Sequence, residues 1–197
     1  MARAEVTPAR RADARQNIEK ILGAAVACLG RKPDASVNEI AQAAGVGRMT
    51  LYGHFATREA LVEAALRRVL EDGDAVLEDL DLDGDPPAAL RALIESSWLL
   101  IAQASAVLEA AQATLPPERI RELHAKPELR VHDLIRRGQA EGAFRDDLPV
   151  EWLAGVLFHL MKGAAADVVR NRLDPADAPR YLAETVLAAY AGPRAGV

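Results

Sequence analysis

Apolar positions recur at three- and four-residue spacing along most of the chain. Between Asn17 and Leu29 the residues Ile18, Ile21, Leu22, Ala25, Val26 and Leu29 line one face of a helix. Gly30 and Pro33 close that helix. Ser36-Val37-Asn38-Glu39 then has the reciprocal pattern of a capping box, in which the Ser hydroxyl accepts from the amide three residues on while Glu39 reaches back. A second helix starts there, buries Val37, Ile40, Ala41 and Ala44, and stops at Gly45, which can take the left-handed backbone of a sharp turn. A short third helix follows through Gly47-Arg48-Met49-Thr50-Leu51-Tyr52. Two helices joined by a tight Gly-containing turn form a helix-turn-helix.

Thr57 is the expected N-cap of a fourth helix that runs through Leu61, Val62, Ala65, Leu66 and Val69 towards Leu80, where the stretch from Asp81 to Pro87 breaks it. Beyond it the pattern predicts helices at about 87–103, 105–114, 117–141 (kinked or split by Pro127), 149–171 and 175–191. The expectation is an all-α chain of about nine helices. Composition agrees, since 50% of the 197 residues are hydrophobic, only 4% are aromatic, and runs of Ala, Leu, Glu and Arg favour helix.

Charge changes the picture. The net charge of -5 is unevenly placed: residues 1–70 carry 11 Lys and Arg against 7 Asp and Glu, and the remainder carries 13 against 22. A basic head on an acidic body suggests two functions, with any polyanion meeting the head. The single cysteine, Cys28, makes no intramolecular disulfide and falls beside the apolar face of the first helix, where a packed small residue is expected. The start of the chain is polar and Arg-rich, and no uninterrupted apolar stretch reaches the ~20 residues of a bilayer span. A cytoplasmic protein with no membrane partner is expected.

The chemistry gathers on the third helix. Val46, Leu51 and Phe55 are spaced to pack it inward, which leaves Arg48, Thr50, Tyr52 and His54 to project outward. Arg makes bidentate bonds to guanine in a major groove, whereas Thr, Tyr and His suit phosphate oxygens. Arg58 adds a cation in the first turn of the next helix, beside amides that can point at phosphate. The chain has no Gly-rich phosphate loop, GxSxG, HExxH or Cys-His constellation, so no enzyme is expected. His124 and His132 are too far apart for ligands on adjacent turns, and neither a metal nor a cofactor is expected. A helical adaptor that binds a protein partner is the alternative.

The segment from Ala35 to Phe55, continued by Thr57-Arg58-Glu59-Ala60-Leu61, resembles the DNA-binding domain of the TetR family of transcriptional repressors. The resemblance covers roughly residues 12–72, with the motif at about 36–55. It implies a DNA-facing set of Ser36, Gly47, Arg48, Thr50, Tyr52, His54 and Arg58. Thr50, Tyr52 and His54 would touch phosphate, Arg58 would stand where a Lys is usual, and Arg48 would lead base reading. Gly47 and Gly53 depart from the family pattern, so contacts there come only from backbone. Met49 stands where a small residue is common, and either touches a thymine methyl or packs inward.

The resemblance implies that residues 73–197 form an effector-binding and dimerisation domain, and Gly142-Ala143-Phe144-Arg145-Asp146-Asp147-Leu148 resembles the turn before the family's dimerising helices. Nearly every face of residues 150–169 is apolar or small, so a helix buried all round is expected. Trp152, Val156, His159 and Gly163, with Tyr181 and Thr185 on the last helix, are candidates for a two-fold interface. Trp98, Gln103, His132, Phe158 and His159 are candidate pocket residues. The implied whole is a repressor that binds a palindromic double-stranded operator as a homodimer and is released by a small-molecule effector.

Overall fold

A computed structural model describes residues 8–192, with side chains from Asp13 onward except those of Leu99, Ala102 and Gln103. The described residues form eight helices: α1 (Pro8–Arg31), α2 (Val37–Ala43), α3 (Arg48–His54), α4 (Arg58–Glu78), α5 (Pro86–Gln112), α6 (Pro117–Ala140), α7 (Val150–Val169) and α8 (Ala178–Tyr190). No strand occurs among the described residues. The segments expected as separate helices at 87–103 and 105–114 run as one element, because no Gly or Pro interrupts the chain between Ala88 and Gln112. Pro127 neither splits nor ends α6, which continues across it.

Contacts divide the chain into two units, one comprising residues up to Val69 with Ala106–Ile120, the other Leu70–Ser105 with Arg121 onward. In the first, α1 packs on α2 and α2 on α3. Its interior holds Ile21, Ala25, Leu29, Ile40, Leu51, Leu61 and Leu66, the apolar positions that the helical spacing brings to one side. Cys28 is buried among them. Arg68 bonds Glu19 across this unit at 2.6 Å, and Glu63 accepts from both Arg67 and Arg119. The Arg119 guanidinium, with Arg67, holds the Glu63 carboxyl below its usual range.

The second unit has its own core, built from Leu90, Ile94 and Trp98 of α5, Val131, Leu134 and Ile135 of α6, and the inward faces of α7 and α8. Asp74 is only 13% exposed and takes Lys126 and Arg130 at 2.9 Å each. Burial works against its charge, and the two cations outweigh it, so its carboxyl lies below the usual range. After α6, Gly142 (φ +72°) turns the chain so that Ala143 and Phe144 both donate to Gly138 O. Asn171 (φ +55°) closes α7 in a similar way, its amide and that of Arg172 donating to Val168 O and Asp167 O.

α7 is long and apolar enough to cross a membrane by length and composition, while Glu151, His159, Lys162 and Asp167 interrupt its apolar run, so the expectation that no uninterrupted apolar stretch reaches that length stands. It is also not buried all round. Leu153, Ala154, Leu157, Met161 and Ala165 enter the core, whereas Trp152, His159, Lys162 and Gly163 are exposed on the other side. A helix at the margin of a single chain buries one face only, whatever its composition.

Candidate nucleic-acid interface

The helix-turn-helix is built by local bonds. Ser36 is the N-cap of α2, with the Glu39 amide donating to its Oγ at 3.2 Å and the Ser36 amide donating to Glu39 Oε2 at 2.6 Å. Lys32 Nζ adds an ion pair to Glu39 at 3.2 Å. These donors, the Ser36 amide first, hold the Glu39 carboxyl at about 2. At the other end Gly45 takes φ +67°, and Gly45 and Val46 donate back to Gln42 O and Ala41 O. This reversal aims α3 away from α2.

Leu51 anchors α3, being fully buried. Arg48, Met49 and Thr50 are exposed, and Tyr52 and His54 are half-buried. The Arg48 guanidinium carbon lies 5.4 Å from the Tyr52 ring centroid, a cation-π pair that restricts the Arg side chain without using up its donors. Gly47 and Gly53 leave bare backbone, and a Cβ on Gly53 would meet nothing within 4 Å. Met49, whose direction the sequence left open, is 82% exposed.

Two of the expected contacts have other partners. Ser36 Oγ is engaged in capping α2. Arg58 donates from Nη1 to Ala35 O and from Nη2 to Pro33 O at 3.2 Å, tying the start of α4 to the α1–α2 connection. Nothing in the local sequence signals that clip, since its acceptors lie 23 and 25 residues away. Thr57 caps α4 as expected, with the Ala60 amide donating to its Oγ1 at 3.2 Å.

In the second unit the candidate pocket residues do not all converge. Trp98 is buried in the core and Phe158 packs partly buried against it, while His132 is half-buried on α6. His159 is exposed on the outer side of α7, where Nδ1 donates to Gly155 O at 2.6 Å. The side chain of Gln103 lies outside the described residues. The six dimerisation candidates share outward faces. Trp152, His159 and Gly163 are exposed and Val156 half-exposed on α7, and Tyr181 and Thr185 are exposed on α8.

A tight turn between a capped helix and a second helix that displays Arg and Thr from a buried Leu anchor defines a helix-turn-helix DNA-binding protein. The family model for bacterial regulatory proteins of the tetR family matches residues 21–65. The chain is 30% identical over 143 residues to the HTH-type transcriptional repressor KstR2 of Rhodococcus jostii, covering 68% of each. It is 37% identical over 92 residues to the HTH-type transcriptional repressor LfrR of Mycolicibacterium smegmatis, covering 46% of this chain and about half (49%) of LfrR. The structure of LfrR from Mycobacterium smegmatis in complex with proflavine superposes with a TM-score of 0.69 at 24% identity, over 87% of this chain and 94% of that one. The chain belongs to the tetR family of bacterial regulatory proteins. That membership favours a regulator of transcription over the adaptor reading.

Proposed function

We propose that the chain is a cytoplasmic repressor that binds a palindromic operator as a homodimer and releases it when a small molecule occupies the second unit. The exposed Arg48 and Thr50 on a helix anchored by buried Leu51 carry this reading. Arg48 reads guanine, and Thr50, Tyr52 and His54 meet phosphate. The amides beside Gly47 approach the duplex without a side chain in the way.

Residues 12–72 act as the DNA-binding domain and 73–197 as the effector-binding and dimerisation domain. The outward faces of α7 and α8 support pairing with a second copy, because Trp152 on α7 and Tyr181 on α8 are large side chains left exposed, and Gly155 and Gly163 on α7 allow a partner helix close approach. Two copies present two recognition helices about 34 Å apart, one turn of DNA. α4 runs without a break from residues of the first unit into those of the second, so a ligand that tilts α4 spoils that spacing. A differential affinity of about 1–3 kcal/mol between the two forms weakens operator binding roughly 5- to 150-fold.

Footprinting with DNA flanking the gene tests the reading. A protected palindrome is expected, and Arg48→Ala should weaken specific binding by about 1–3 kcal/mol with little effect on random DNA. Equal loss on both would remove the base-reading role of Arg48. Proflavine, the ligand in the LfrR complex, is the first effector probe. If no duplex is preferred even at low salt, the proposal fails.

A further inference from the structure

The line of α3 that faces directly away from the core carries no hydrogen-bonding side chain. A helix advances about 100° per residue, so positions two before and two after a buried anchor lie almost opposite it. The anchor is Leu51, and those positions are Met49 and Gly53. Arg48 and Tyr52 fall together on one flank, where they form their cation-π pair, and Thr50 and His54 fall on the other. The outermost line is therefore one long thioether followed by bare backbone.

Internal packing does not account for either residue. Met49 is the most exposed of the large hydrophobic side chains among the described residues, at 82%. Gly53 has no positive φ, and an added Cβ there would meet nothing within 4 Å. Both make sense if the line meets a surface outside the chain, with Gly53 letting the backbone come close and Met49 reaching the floor ahead of it.

From this arrangement we infer that Met49 is a specificity-determining residue that reads the 5-methyl group of a thymine in each half-site, beside the base read by Arg48. The inference rests on the DNA-binding reading above and adds the chemistry of one base. Among the base edges of a major groove only thymine presents a projecting apolar group. An apolar side chain on the leading line gains from covering that methyl, and gains nothing at the amino or carbonyl groups of the other bases, which it would strip of water. The flexible, polarizable Met chain is suited to such a contact.

The test uses full-length protein and duplexes selected by it from a random-sequence library. Each thymine of the selected half-site is replaced in turn by deoxyuridine, which removes the methyl and leaves every hydrogen-bonding group. One position per half-site should weaken wild-type binding about fourfold, the value of one buried methyl-sized group. Met49→Ala, whose side chain is outside the core, loses the contact in both half-sites, so it should bind the thymine duplex about sixteenfold more weakly (about fourfold for each half-site) and be indifferent to uracil at that position. Uracil tolerated everywhere by the wild type, or an equal uracil penalty in Met49→Ala, overturns the role of Met49 while DNA binding stands. Unaltered binding by Met49→Ala also overturns it and points to a protein contact instead. Failure to enrich any duplex removes the DNA-binding reading itself, and this inference with it.

Discussion

The Phe144 ring meets the Tyr190 ring edge-on, with centroids 5.5 Å apart and planes at 81°. Phe144 reaches that position only because Gly138 has no side chain, since a Cβ there would lie 2.1 Å from Phe144 Cδ2. Tyr190 is fixed in turn by donating its hydroxyl to Leu153 O at 2.6 Å, and its backbone carbonyl accepts from the Arg145 amide at 2.8 Å. Burial pushes the Tyr190 phenol above its ordinary value, so it remains a donor. The end of α6, the turn after it, α7 and α8 are thereby joined at one point.

Gly138→Ala should destabilise the second unit by about 2 kcal/mol or more, because a buried ring has to move to admit the methyl. Tyr190→Phe should cost about 1 kcal/mol, since the Leu153 carbonyl keeps its helical bond. Denaturant titrations of the two variants check both values. A Gly138→Ala protein as stable as the wild type would show that the ring has room elsewhere.

Arg58→Ala should lower the stability of the first unit by about 2 kcal/mol, the worth of charged hydrogen bonds to two carbonyls. Its effect on DNA binding should persist at all salt concentrations. A phosphate contact would instead reduce the salt slope by about one. Measuring affinity across a salt series together with thermal unfolding separates the two roles.

Glu39 gives the first unit a defined acid limb. Its carboxyl has an ordinary value of 4.5 and is held at about 2 in the folded chain, so the unfolded chain takes up the proton first as pH falls. The stabilisation is complete above about 4.5 and is lost as pH falls through about 2. Lys32, raised above 10.5 chiefly by its bond to Glu39, contributes below that pH and loses its contribution as pH rises past it. Glu39→Gln keeps a capping amide but removes the titration, so its unfolding midpoint should fall less steeply between pH 5 and 2.5, as followed by circular dichroism.

Trp152→Ala should raise the dimer dissociation constant about thirtyfold, the ~2 kcal/mol of a hot-spot aromatic. The unfolding free energy of the monomer should be nearly unchanged, because Trp152 lies outside the core of its own chain. Sedimentation equilibrium over a concentration series reads the first quantity. A wild-type chain that is monomeric at all concentrations would rule out the interface.

Much of the head was legible because its signals are short in sequence. Ser36 and Glu39 cap α2 within four residues, and Gly45 supplies the reversal at its end. The Arg58 clip was not legible, because its acceptors are brought to it only when α1 and α4 have packed. The first turns of α1, from Pro8, have no apolar spacing to mark them, so the helix begins earlier than the pattern from Asn17 indicates. In the second unit, composition identified α7 as apolar but could not say which side its own core would claim. The alternation of buried Leu153, Leu157 and Met161 with exposed Trp152 and His159 emerges from the neighbours that cover only one side.

The cap on α2 has a thermodynamic consequence for recognition. Ser36, Glu39 and Lys32 complete the scaffold helix with groups from the chain itself, so the head arrives at a duplex already ordered. Association then carries no folding penalty in this segment, and the heat-capacity change on complex formation should reflect only the surfaces brought together.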